Sequence, residues 1–117
     1  MKDNVIVVKS FAFSCRIVGM VRYLQSNQKE FIISNQVGRS GTSIGANVRE
    51  GVNAQSKPDF YAKMYIAYKE ANETAYWLEL LHATNYIDDN TFNSIYDDCV
   101  ELVKILASIT KTQKTSA

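Results

Sequence analysis

The stretch QVGRSGTSIGANVREGV, Gln36 to Val52, decides how the chain folds. Gln36, Ser40, Ser43, Asn47 and Glu50 recur at steps of 4, 3, 4 and 3, which puts them on one stripe of a helix. Val37, Gly41, Ile44, Val48 and Val52 form an apolar stripe beside it. A helix that buries the apolar stripe carries the polar one at the edge of the core, where each polar group needs a partner on a facing helix. Gly38, Gly41 and Gly45 lie in the same segment, although each weakens a helix interior by about 1 kcal/mol relative to Ala. Close approach of a neighbouring helix is the reading their spacing supports. A phosphate-binding loop is not, because the segment has neither GxGxxG nor GxxxxGK followed by Ser or Thr, and no strand leads into it.

Downstream, Ser56, Pro58 and Asp59 mark a helix start, as a cap, a first-turn proline and an acid three residues after the cap. Phe60, Met64, Ala67, Ala71, Thr74, Leu78 and Leu81 then keep steps of 4 and 3, so a long third helix is expected to end near Thr84 and Asn85. Its small centre, Ala67 and Ala71, is expected to face the glycine-rich centre of the second helix, which extends to about Ala54 after a turn at Asn27 to Lys29.

Upstream, the β-branched run Val5 to Val8 invites a strand, but Ile6, Ser10, Phe13, Ile17, Met20 and Leu24 keep helical steps. So do Val7, Phe11, Ser14, Val18 and Val21. The first helix is predicted from an Asp3 or Asn4 cap to Ser26, with Asn27 in the left-handed position. Its apolar face is wider than one small bundle needs, which predicts that another subunit covers part of it. Asp88 caps the fourth helix, with Ile87 and Phe92 as a hydrophobic staple. Phe92, Ile95, Cys99, Leu102, Leu106 and Ile109 supply its core, and residues 111–117 read as a polar, frayed tail. Short connections make the fold class all-α, an up-down-up-down antiparallel four-helix bundle, with one domain over residues 1–110.

The 117 residues, 46% apolar, suffice for one core and not two. A net charge of +1 conceals an asymmetry. Residues 1–57 hold eight Lys or Arg against three Asp or Glu, and residues 58–117 hold five against nine. Such a dipolar chain is able to self-associate through opposite faces. Cys15 and Cys99 have no CxxC spacing, no neighbouring histidines and no signal peptide ahead of them, which points to a reducing cytoplasm and to neither a disulfide framework nor a zinc site. No apolar run is long enough for a bilayer.

Glu70 and Glu73 share a stripe with Ile66 and Trp77, and two carboxylates there call for cations. With the hairpin symmetric about position 55 or 56, Arg39 comes opposite Asn72 or Glu73 and Ser43 opposite Tyr68 or Lys69, and of these Arg39 to Glu73 is the natural pair. A di-metal bundle would need Glu-x-x-His on two helices, and the lone His82 has no such context. Arg39, Ser43, Asn47, Glu50, Glu70 and Glu73 are therefore predicted to form a structural polar network, with no catalytic residue, metal or cofactor. Tyr61, Tyr65 and Tyr68 read as packing more readily than as a base-stacking platform. Lys2, Lys9 and Arg16 recur every seven residues on one edge of the first helix, with Arg22 nearby. Lys9, Arg16 and Arg22 are the candidate contacts to RNA or DNA phosphates.

RSGTSIGANVREG (Arg39 to Gly51) followed by SKPDFYAKMYIAYKEANETAYWLELL (Ser56 to Leu81) resembles a bacterial four-helix bundle family that includes proteins encoded in intervening sequences of the 23S ribosomal RNA gene. The likeness spans about Val5 to Leu106. It implies a homopentameric ring, and Arg39, Ser43, Asn47, Glu50, Lys69, Glu70 and Glu73 occupy the signature positions, with no catalytic role attached. The accessory variability protein of diversity-generating retroelements, a pentamer that binds nucleic acid and a reverse transcriptase, also belongs to the family. This chain is less basic than those relatives. Two readings follow, a nucleic-acid-associated accessory protein and a scaffold for protein contact alone.

Overall fold

Among the described residues there are four helices: α1 (Lys2–Ser26), α2 (Ile32–Val52), α3 (Lys57–Ala83) and α4 (Asp89–Ser116). The structure is a computed structural model that describes residues 2–116, with side chains for 5–112, and no strand occurs among them. Sequential helices pack as antiparallel neighbours and α4 returns beside α1, the closest packing being between α2 and α3 and the loosest between α1 and α4. The bundle measures 47 × 22 × 21 Å.

The core follows the predicted stripes. Ile6, Phe13, Ile17, Met20 and Leu24 of α1, Val37, Ile44 and Val48 of α2, Met64, Ala67, Ala71, Leu78 and Leu81 of α3, and Ile95, Cys99, Leu102 and Leu106 of α4 are all buried. Val52 is exposed and Gly51 takes the last buried place on α2.

The glycines turn toward a different partner from the one expected. A Cβ at Gly41 would sit 2.8 Å from Ile17 Cγ1, one at Gly38 would sit 3.2 Å from Val21, and one at Gly45 3.3 Å from the Ser10 carbonyl oxygen. All three therefore admit α1, and not the alanines of α3. Gly51 alone faces α3, where an added Cβ would meet Met64 and Lys63. Toward α3 the middle of α2 presents Ser40, whose side chain has its own partner there.

The termini of the helices were legible unevenly. Ser56 Oγ accepts from the Asp59 N–H at 3.3 Å with Pro58 in the first turn, and Asp88 Oδ1 accepts from the Thr91 N–H at 2.8 Å. Asn85, at φ 67, closes α3 in a Schellman arrangement, with the Tyr86 N–H donating to the Leu81 carbonyl at 2.9 Å. At the α1–α2 turn the left-handed residue is Lys29 and not Asn27. α1 opens at Lys2, ahead of the Asp3 or Asn4 cap, whose side chains lie outside the described residues. α4 runs as helix to Ser116 where a frayed tail was expected. No Gly or Pro interrupts residues 111–116, and the Thr110 and Thr112 hydroxyls bond back to carbonyls one turn earlier.

Candidate functional site

α2 and α3 are held together at their outer edge by a cluster around Arg39. Its guanidinium donates to Glu70 Oε2 at 3.2 Å, to Glu73 Oε2, and to Gln36 Oε1 at 3.4 Å. Trp77 Nε1 donates to the same Glu73 oxygen at 2.9 Å. Arg39 is 51% exposed while Glu70 is 18% exposed, so the cation caps carboxylates that lie partly within the bundle. Two carboxylates against one guanidinium and an indole N–H form a satisfied network. Such a cluster locks helix register, and it draws on one oxygen of each carboxylate.

The six residues predicted for this network do not form one network. Arg39, Glu70 and Glu73 come together as described. Glu50 stands apart near the turn, with Lys63 Nζ 3.0 Å from its Oε1. Ser43 and Asn47 bond only within their own helix: Ser43 Oγ donates to the Arg39 carbonyl at 2.6 Å, and Asn47 Nδ2 to the Ser43 carbonyl at 2.8 Å. Both are half-buried and therefore within reach of solvent. The buried hydroxyl pair between the helices is Ser40 with Thr74, 2.9 Å apart, where Thr74 Oγ1 also lies 2.8 Å from the Glu70 carbonyl oxygen. Ser40 stood on the predicted polar stripe and Thr74 on the predicted core stripe, so matching the two stripes held the signal for this pair.

Sequence reasoning missed Glu30 entirely. This buried carboxylate accepts from the N–H groups of Ile32 at 3.1 Å, Ile33 at 2.9 Å and Ser34 at 2.7 Å, while the Ser34 hydroxyl donates back to the Glu30 carbonyl at 2.8 Å. Phe31, the residue in the cap position, makes no side-chain cap bond. Glu30 thus satisfies the orphan donors of α2 and meets the positive end of its dipole.

The basic edge of α1 is not a bare line of cations. Lys9 Nζ lies 3.0 Å from Glu101, and Arg16 donates to Asp98 at 2.7 Å and to the Ser94 hydroxyl at 3.0 Å. The acids of α4 consume the charge that the seven-residue repeat offered to phosphates. Arg22 remains exposed with no acidic partner among the described residues, and the Lys2 side chain lies outside them. The charge asymmetry between the chain halves is in good part spent on ion pairs between neighbouring helices.

Burial pushes the Cys99 thiol up to about 12, and the nearby Glu79 adds to the shift. Its Sγ donates to the Ala71 carbonyl at 3.4 Å. A thiol so placed is inert, and Cys15 is free on the outer face of α1. His82 Nε2 is 2.7 Å from Asp89 Oδ1 and its ring stacks on Phe92 at 4.1 Å. No group of three or more His, Cys, Asp or Glu stands close enough for a metal ion among the described residues. The tyrosine stripe divides: Tyr61 and Tyr68 are half-buried, while Tyr65 is exposed with its ring 6.1 Å from Tyr68 and under Lys69 Nζ at 5.9 Å. A concavity of about 640 Å³ at one end of the bundle is lined by Val5, Phe60, Tyr61, Ile105 and Ile109 with Lys104, Ser108 and Thr112 among them, and no acid or histidine lines it among the described residues. No helix among the described residues is long and apolar enough to cross a membrane.

Fold and cluster together define an antiparallel four-helix bundle whose polar groups tie helix to helix. The chain belongs to the 23S rRNA-intervening sequence protein family, which it matches over residues 2–108. It is similar to a crystal structure of a protein of unknown function from the S23 ribosomal protein family of Bacteroides thetaiotaomicron, with a TM-score of 0.92 and 55% identity over 95% of this chain and 99% of that one. No curated protein matches.

Proposed function

We propose that this family member is a non-catalytic, cytoplasmic homo-oligomer, most simply a pentameric ring, that works as a scaffold through surface contact. The observation that carries this reading is the apolar outer face of α1, where Val5, Val8, Phe11 and Val18 are exposed, Val8 by 65%. An apolar helix face left open to water marks a place for a partner. Further apolar exposure on α3, at Tyr65, Ile66 and Tyr76, gives each subunit a second such face. The Arg39 cluster supports the reading from the other side, since its guanidinium is already engaged by Glu70, Glu73 and Gln36. Light scattering at micromolar concentration and physiological salt tests it. A discrete oligomer is expected, and a monomer overturns it.

A nucleic-acid-associated role, extending to a partner such as a reverse transcriptase, is the second reading, and one observation favours it: Arg22 is exposed and unpaired among the described residues. Lys9 and Arg16 would first have to leave Glu101 and Asp98. A ring multiplies weak cation contacts such as Arg22 by avidity, so weak binding that falls steeply between about 50 and 200 mM salt is the expected signature. Failure of the oligomer to shift RNA or DNA at 50 mM salt, the low end of that range, leaves the scaffold reading alone.

A further inference from the structure

We infer that copies of this chain meet through α1 of one and α3 of the next, in a fixed register; the inference rests on the oligomeric reading above. Its starting point is Gly19. This residue lies mid-helix on the exposed side of α1, and a Cβ added there would meet nothing within 4 Å. The glycines of α2 are explained by the side chains that press on them, whereas nothing within the chain explains a helix-weakening residue here. Gly19 belongs to an outward line with Val8, Ala12 and Cys15, all exposed, at steps of 4, 3 and 4. On α3 a second outward line, Tyr65, Lys69, Asn72 and Tyr76, repeats the same steps and is also exposed. One line is small and the other large, which is what interdigitation of two helices requires.

The heights of the two lines within one subunit agree with that pairing. Ile17 of α1 packs at Gly41, while Ser40, one residue from Gly41, meets Thr74 of α3, so Ile17 and Glu73 lie at the same level of the bundle. α1 and α3 run in the same direction. By the rise of a helix, Gly19 then stands level with Ala75 and Tyr76, and Val8 level with Met64 and Tyr65. Rotation about an axis parallel to the bundle changes neither height nor helix direction, so a closed ring places Gly19 of one copy against Tyr76 of the next. The same register brings Arg22, which has no acidic partner among the described residues, against Glu79. Glu79 accepts from the Tyr96 hydroxyl through one oxygen and keeps the other. Both faces lean toward α4, which Arg16 reaches from α1 and Glu79 from α3. They therefore meet at less than a half-turn, which favours closure over a straight fibre.

The test uses the full chain. Gly19→Leu has room in the subunit, so its helical circular dichroism should match the parent's, while self-association measured by sedimentation weakens about tenfold or more and melting falls only by what association supplied. Cys15 supplies a native reporter, since Cys99 is buried. Under mild oxidation Asn72→Cys should give a ladder of disulfide-linked chains up to the complete oligomer, and the parent should give none. A parent that forms Cys15–Cys15 dimers, or an Asn72→Cys protein that stays unlinked while oligomeric, overturns the register. Gly19→Leu that keeps the parent's mass at every dilution overturns the interface. A parent that is itself monomeric overturns the oligomeric reading and this inference together.

Discussion

α2 and the seam between α1 and α4 show two ways of joining helices. α2 meets α1 through Gly38, Gly41 and Gly45 and meets α3 through Ser40–Thr74 and the Arg39 cluster, so backbone approach, a buried hydroxyl pair and an exposed cation over partly buried carboxylates all act on it. α1 and α4 lie farther apart, and Lys9–Glu101 and Arg16–Asp98 bridge them where every partner is more than a third exposed. Opposite charges line both regions. Only around α2 are they combined with close packing, and the difference in environment decides how much each contact is worth.

Gly41→Leu should break α2 from α1 and is the most damaging change proposed, at about 3 kcal/mol or more, since even a Cβ lands against Ile17. Urea unfolding measures it, and a variant as stable as the parent would mean that α1 yields easily. Glu30→Ala should cost about 2 kcal/mol by removing the cap from three N–H groups at the start of α2, that of Ser34 being buried. Unlike a surface pair, that loss should persist at high salt.

Smaller effects sharpen the contrast. Glu73→Ala should cost about 1 kcal/mol, discounted for the exposure of Arg39, and should alter Trp77 fluorescence. Asn47→Leu should stay within about 0.5 kcal/mol, because Asn47 bonds only its own helix. That replaces the larger loss a cross-helix partner would have entailed. On the α1–α4 seam, Lys9→Ser and Arg16→Ser should each cost about 0.5 kcal/mol or less, a difference that vanishes in high salt. A loss above about 1 kcal/mol there would show that the seam resembles α2 after all.

The least effect is expected at Asp88, whose carboxylate is fully exposed and is held below its usual 3.8 chiefly by the Thr91 backbone N–H. A folded-state value below the unfolded one contributes stability above pH 3.8 that is lost as pH falls through the lowered value. Asp88→Asn should flatten this part of the acid limb of the urea midpoint, and an unchanged limb would place that pH dependence elsewhere.

Most of the fold was legible because helix periodicity is a local property. The stripes of α1, α3 and α4 name nearly every buried residue, and Ser56 and Asp88 cap their helices as their sequence context predicts. The Arg39–Glu73 pair followed from hairpin register, which left Asn72 or Glu73 opposite Arg39, together with opposite charge. Glu30 stayed hidden because it caps from one residue before the usual position, across a turn whose left-handed residue is Lys29.

By itself, then, the chain's order of residues determined four amphipathic helices, their direction and the residues of the core, since each depends on neighbours within a few turns. Which helix the glycines admit, that Lys9 and Arg16 spend their charge on α4, and that Gly19 is left without a neighbour were decided only by the tertiary structure. Periodicity states which side of a helix is buried. Which neighbour lies against a given stripe depends on rotation about the helix axis, and that is settled when all four helices pack at once.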